Sequence, residues 1–176
     1  MEQTKWFERV FEFNQPLGLF PCTLERLRGT PARLEELVRG LGPELLTARR
    51  DGRWSIQEQV GHLYDLDELH AGRLEDFRLG LEVLRPADLT NRRTHEADHN
   101  SADIGRLLAL FREGRLEFVR RLEEFDDEAL ARTALHPRLR TPMRVVDMAL
   151  FTAEHDDHHL ASITVNTTGT GNTTGM

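Results

Sequence analysis

The chain has 176 residues, of which 39% are hydrophobic and 30% charged, with a formal net charge of -7. That balance belongs to one soluble, globular domain with a sizeable core, and excludes a disordered or membrane-embedded chain. The basic residues are 22 Arg and the single Lys5, scattered among Glu and Asp, so they form no nucleic-acid-binding face.

The start, Met1 to Lys5, lacks the basic end and apolar stretch of a signal peptide. No run approaches the roughly 18 apolar residues of a membrane span, and a cytoplasmic location is expected. Leu occurs 27 times against 11 for Val and Ile together, a ratio that favours helices. With no convincing alternating segment, the chain reads as all-α. A first helix is expected over about 18–40, with Leu24, Leu27, Leu34, Leu37 and Leu41 on one stripe and Pro31 as a kink or fresh start. Cys22, near its beginning, is the lone cysteine and reads as a small buried apolar residue. A second helix begins at Ser55, an N-cap whose capping box is completed by Glu58, and runs to about Gly80. A long polar connection over about 85–100 leads to a third helix over about 101–125, capped by Ser101 or Asp103. A fourth is expected from Thr141-Pro142, as N-cap and first position, to about Val165. Residues 1–165 thus make a single helical bundle domain, with a long crossover connection and its ligand sites in the core between facing helices. Residues 166–176, mainly Asn, Thr and Gly, read as a low-complexity, flexible tail.

The feature that composition leaves unexplained is eight histidines. On the fourth helix, Val145, Met148, Thr152, His155, His159 and Ile163 share an arc of about 80° at 100° per residue. His155 and His159 are therefore one turn apart on the core-facing stripe. His158, Asp156 and Asp157 point away from its centre. Two core imidazoles need partners for four ring nitrogens, and one metal ion shared at i, i+4 supplies that. His62 sits seven residues past the N-cap of the second helix, about 10 Å into it. If the second and fourth helices are antiparallel, His62 meets His155 and His159. His70 lies roughly 12 Å further along and cannot share the ion. His95 and His99 fall in a polar loop or solvated helix start from which either could line a substrate mouth. His136 carries no argument, and Asp65 and Glu68 read as solvated helix charges.

The residues Trp54-Ser55-Ile56, Gly61-His62-Leu63 and His155-x-x-His158-His159, in that order, resemble the DinB/YfiT-like superfamily of four-helix-bundle metalloenzymes. Thr30-Pro31-Ala32-Arg33-Leu34 is also similar, and the likeness spans about residues 18–165. The resemblance implies a divalent ion, zinc or nickel, on His62, His155 and His159, and a homodimer. It also implies activities such as thiol-dependent transfer with bacillithiol, mycothiol or glutathione, and mycothiol-dependent isomerisation. One departure is Leu160-Ala161-Ser162-Ile163, where the family often has Gly-Gln-Ile or Gly-Gln-Leu.

The function expected is therefore a metal-dependent enzyme in which the ion activates a low-molecular-weight thiol cosubstrate or water, giving S-transferase or hydrolase chemistry on a small-molecule substrate. The alternative is a non-catalytic, stress-associated bundle that binds a metal or small molecule, or serves as a dimerisation unit. No nucleic-acid or membrane partner is expected.

Overall fold

The computed structural model describes residues 3–50 and 52–168. Four rods dominate it. Helix α1 spans Phe20–Val38, the short α2 Pro43–Thr47, and the second rod is α3, Ile56–Asp65, followed by α4, Asp67–Arg78. A short α5, Arg92–Glu96, lies in the connection to α6, Ile104–Leu122. A single turn, α7 at Asp127–Leu130, precedes a hairpin of β1, Thr133–His136, and β2, Thr141–Arg144, and the long α8, Val145–Thr168.

Local chemistry accounts for most of these limits. The Ser55 side chain accepts from the Glu58 backbone N–H while the Glu58 carboxylate accepts from the Ser55 N–H, closing the capping box at the start of α3. Asp103 caps α6 by accepting from the Arg106 N–H at 2.7 Å. Gly80, at φ +67°, ends α4 in a turn where the Leu81 N–H reaches the Asp76 carbonyl. The second rod is not one continuous helix, because it breaks at Leu66 between α3 and α4.

α1 packs on α8 and α6, and the α3–α4 rod packs on α6 and α8, so the four rods close a ring. Two apolar clusters fill its ends. One joins Phe20, Leu24 and Leu27 of α1 to Phe77 of α4, Phe118 and Leu122 of α6 and the first half of α8. The other joins Leu34 and Val38 of α1 to Ile56, Val60 and Leu63 of α3, Leu107 and Phe111 of α6, and Leu160 and Ile163 of α8. Each cluster pairs the start of α3–α4 with the end of α8, or the reverse, so these two rods run antiparallel. By the same reading α3–α4 and α6 run parallel, and the chain from Leu79 to Asp103 must return along the bundle between them. That is the long crossover expected from the polar stretch. Between the clusters lies a buried polar layer containing Thr30, His62, His70, Arg115, Asp156, His155 and His159.

Three expectations are corrected. Thr141 and Pro142 do not open α8; they belong to β2, where Pro142 faces Leu135 across an antiparallel ladder. The hairpin is a two-stranded ribbon, so a proline with no N–H to donate is tolerated there. The Asp147 carboxylate caps α8 instead, accepting from the Arg144 N–H at 3.1 Å. The second correction concerns the tail. α8 continues through Asn166 and Thr167 to Thr168, and the Asn166 amide, buried, donates to the Trp54 carbonyl at 3.3 Å. Residues 169–176 of the expected tail lie outside the described residues. Third, Cys22 is exposed, because α1 buries Phe20, Thr23, Leu24 and Leu27 on its opposite face.

Candidate metal centre

The antiparallel pairing of α3 with α8 brings His62 against His155 and His159. The ring centroids stand 5.4 Å apart for His62 and His155, 4.8 Å for His62 and His159, and 4.4 Å for His155 and His159. One ligand nitrogen from each lies within 4.8 Å of the other two, and all three rings are buried. Imidazole nitrogens sharing a tetrahedral ion at bonds of about 2.1 Å stand roughly 3.4 Å apart, so small ring rotations complete the set. Trp54 leans on His62 at 4.6 Å and Trp6 meets His155 edge-on at 4.9 Å, walling the three rings on two sides.

Hydrogen bonds decide which nitrogen each ring presents. The Thr94 hydroxyl donates to Asp65 Oδ2 at 2.8 Å, so its oxygen accepts from His62 Nδ1 at 3.1 Å. The proton of His62 is thereby on Nδ1 and its lone pair on Nε2. His159 Nδ1 donates to the Gln59 Oε1, which again leaves the lone pair on Nε2. Nε2 of His159 faces Nε2 of His155 at 3.1 Å, while His155 Nδ1 is buried without a hydrogen-bond partner. A cation between the two Nε2 atoms would turn this close approach into joint coordination. Three lone pairs converging in a buried site, two of them fixed by an outer hydrogen bond, are what a divalent ion requires, so the residues fit the metal that the sequence implies.

The charge states agree. Burial lowers the His62 pKa to about 4, with Asp65 opposing and His99 and His95 adding to the fall. Burial holds His155 and His159 well below the ordinary imidazole range, reinforced by the neighbouring imidazoles. All three are neutral near pH 7, so an ion competes with no proton there.

The outer groups form a chain of their own. Asp65 accepts from Thr94 and lies 2.9 Å from His99 Nε2, and Arg93 Nε stands 3.3 Å from its other oxygen. His99 packs directly over Gly61, where an added Cβ would lie 2.3 Å from the ring. This is the physical reason for a glycine immediately before His62. The Gln57 amide donates to the His99 and Ala102 carbonyls, each at 2.6 Å, and fixes the crossover against α3.

A cavity of about 320 Å³ opens against the three rings. Trp6, Trp54, Leu66, Leu69 and Phe151 supply apolar wall, and His70, Arg73, His136 and Arg138 also line it. The site therefore has both a place for an ion and a space for a small molecule beside it.

The structure brings together the three histidines singled out in the sequence. It corrects the reading of three other residues, Asp65, His99 and Asp156. Asp65 is buried and hydrogen-bonded rather than solvated, and His99 is buried on α3 rather than exposed in a loop, whereas His95 is exposed. Asp156, expected to point away, is fully buried on the α6-facing side of α8, paired with Arg115 at 2.9 Å. Thr94, Gln59 and Trp6 were not anticipated. Gln59 could have been found, since it is three residues before His62 on a shared face. Ser162, the departure from the family pattern, bonds Gln3 Oε1 and the His158 carbonyl, both at 3.0 Å.

Comparison with known proteins adds to this geometry. The sequence profile of the DinB superfamily matches residues 26–163. YfiT of Bacillus subtilis (strain 168), named as a candidate metal-dependent hydrolase, is 27% identical over 146 residues, 80% of each chain. The solved structure of Bacillus subtilis YfiT, described as an unusual four-helix bundle, superimposes with a TM-score of 0.76 at 25% identity, covering 93% of this chain and 94% of that one. The mycothiol-dependent maleylpyruvate isomerase matches in fold, with a TM-score of 0.66 at 10% identity over 82% of this chain and 60% of its own.

Proposed function

This chain belongs to the DinB superfamily, and from that premise we propose that it is a divalent-metal-dependent enzyme of hydrolytic type, with its ion on Nε2 of His62, His155 and His159. The observation that carries the reading is the convergence of three neutral, buried imidazoles, two of which are held by Thr94 and Gln59 in the tautomer that offers Nε2. Zinc and nickel both suit three imidazoles. A metal bound by three protein ligands keeps a position open, and there it lowers the pKa of bound water or of a small thiol toward neutrality. The YfiT relative's name favours water as the nucleophile. The chain's own part is to orient the three rings, to exclude bulk water behind Trp6 and Trp54, and to hold a substrate in the adjoining cavity.

The test is metal analysis of untagged protein grown with ample zinc and nickel, set beside His155→Ala. We expect about one equivalent of metal per chain in the native protein and almost none in the variant. Activity on a panel of small esters and amides, with and without an added thiol, should follow metal content and tell hydrolysis from thiol transfer. Native protein without stoichiometric metal would sink the metal reading. Bound metal with no turnover on any substrate would favour the non-catalytic bundle.

A further inference from the structure

The cavity beside the three histidines is electrically lopsided. Arg73 lies eleven residues beyond His62, about 16 Å further along the rod. It is 4% exposed, and its Nε donates to the Arg85 carbonyl at 3.2 Å. Arg138 stacks over Phe7 at 5.2 Å and near Phe151 at 5.9 Å, and its Nη2 is buried without a hydrogen-bond partner. Neither guanidinium makes an ion pair with a carboxylate among the described residues. His136, 2% exposed, accepts from the Leu139 N–H at its Nδ1, at 3.2 Å, so its proton is on Nε2, and that buried N–H also has no partner. His70 completes the pattern. Arg115 has only donors, so His70 Nδ1, 3.4 Å from it, is an acceptor and the proton sits on Nε2.

All four groups line the same cavity, and among the described residues the buried Nη2 of Arg138 and Nε2 of His136 have no acceptor. The carboxylate on the cavity wall, Asp88, is already occupied by the Thr90 hydroxyl and the Thr90 and Arg92 backbone N–H groups. Asp76, the acid that raises the Arg73 pKa, is itself ion-paired with Arg85 at 2.7 Å. Burying Arg73, half-burying Arg138 and orphaning a buried donor, with neither guanidinium ion-paired among the described residues, costs stability, and such an arrangement persists when a ligand supplies the charge. Burial brings the Arg73 pKa down to about 10, with Asp76 opposing and Arg138 adding to the fall, and brings His136 to about 4, with the two arginines adding. His136 is therefore a neutral donor in the working range, and the cations are the arginines.

We propose that Arg73, Arg138 and His136 form an anion receptor at the end of the cavity away from the three histidines, so that the substrate is a small molecule with a carboxylate or phosphate head and an apolar, aromatic-sized body. The head docks on the two guanidiniums and the His136 N–H. The body lies along Trp6, Phe151, Leu66 and Leu69, and the bond to be broken is thereby presented toward the histidines. This deepens the enzyme reading above and rests on its view of the cavity as the substrate site.

The chain's two tryptophans, Trp6 and Trp54, both line this cavity, so intrinsic fluorescence reports binding directly. The probes are 3-phenylpropionate, phenyl phosphate and the neutral 3-phenylpropionamide, titrated into native protein with metal bound and after chelator treatment, with metal content measured in each. We expect at least one of the two anions to bind about tenfold or more tightly than the amide, as charge-assisted hydrogen bonds imply. The tighter anion identifies carboxylate or phosphate as the preferred head. The preference should survive metal removal and disappear in Arg73→Met and in Arg138→Gln, the second being the less buried site should the first fail to fold. Equal binding of anions and amide, or a preference retained in both variants, overturns the receptor. A preference lost on metal removal but kept in both variants assigns the anion to the ion instead, and likewise overturns it. Absence of metal from native protein with the anion preference intact would fell only the metal reading.

Discussion

Gly61 supports the imidazole of His99, whose ring atoms would lie 2.3 Å from a Cβ at that position. The ring reaches over α3 to Asp65, Asp65 holds Thr94, and Thr94 holds His62, so one missing methyl group sets the orientation of a proposed ligand. Gly61→Ala should displace His99 from its buried site. We expect a loss of about 1–3 kcal/mol in stability, as for other overpacked sites, and a fall of about tenfold in zinc affinity. Gly61→Ala with His99→Ala should recover the stability and leave the affinity low. Thermal unfolding and competition with a chromophoric chelator check the two parts separately, and a Gly61→Ala protein with native zinc affinity would break the chain of argument.

Thr94 is the link that can be cut with the least disturbance. Thr94→Val keeps the shape of the buried side chain but leaves His62 Nδ1 without an acceptor and Asp65 one donor short, with His99 and Arg93 still beside it. Zinc affinity should fall by about 10- to 100-fold, the usual effect of losing such an outer partner. Thr94→Ser retains the hydroxyl and should stay within a few-fold of native. Equal losses in both variants would show that packing, not the hydrogen bond, matters at this position.

The legible parts of this protein are the local ones. The Ser55 and Glu58 box and the 3.6-residue stripe carrying His155 and His159 are written in short windows of sequence, and the structure keeps them. Asp65, His99 and Asp156 were misread for a shared reason. A charged or polar side chain is taken as solvated unless its partner is in view, and their partners Thr94, Asp65 and Arg115 lie 29 to 41 residues away. The hairpin escaped because its four-residue strands are too short for a period to register, and because Thr141-Pro142 is as good a helix start as an edge strand. Trp6 belongs to a segment with no helical or strand period, yet it packs on Phe11, Phe151 and His155.

Arg115 crosses the bundle's polar layer with no exposure at all, 2.9 Å from Asp156 and 3.7 Å from Asp67, its guanidinium over Phe111 and Phe118. Arg115→Met should cost about 3–5 kcal/mol, because it strands a buried carboxylate rather than because the pair itself contributes that much. Adding Asp156→Leu should return most of the loss, since an apolar pair of similar volume replaces a costly ionic one. Chemical denaturation of the single and double variants measures both. A double variant as unstable as Arg115→Met would mean that Arg115 acts through its aromatic contacts instead.

Asp67 gives the polar layer a pH dependence that can be isolated. Burial raises its pKa from 3.8 to about 7; Arg115 pulls it down and Asp156 pushes it up by smaller amounts. An acid whose pKa is raised by folding holds its proton in the native state where the unfolded chain has already lost it. Its contribution to stability is therefore complete below about pH 4 and disappears as the pH rises through 7. At about 1.4 kcal/mol per unit, native protein should lose roughly 2–3 kcal/mol from this group between pH 5 and pH 8. Asp67→Asn cannot titrate and removes that slope. The buried histidines, whose lowered pKa values act in the opposite sense as the pH falls from 6.5, are common to both proteins and cancel in the difference. Urea unfolding of chelator-treated native and Asp67→Asn protein at pH 5, 6, 7 and 8 should thus show the variant gaining on the native chain as the pH rises. Two parallel stability curves would mean that Asp67 is ionised throughout, held by Arg115 in spite of its burial.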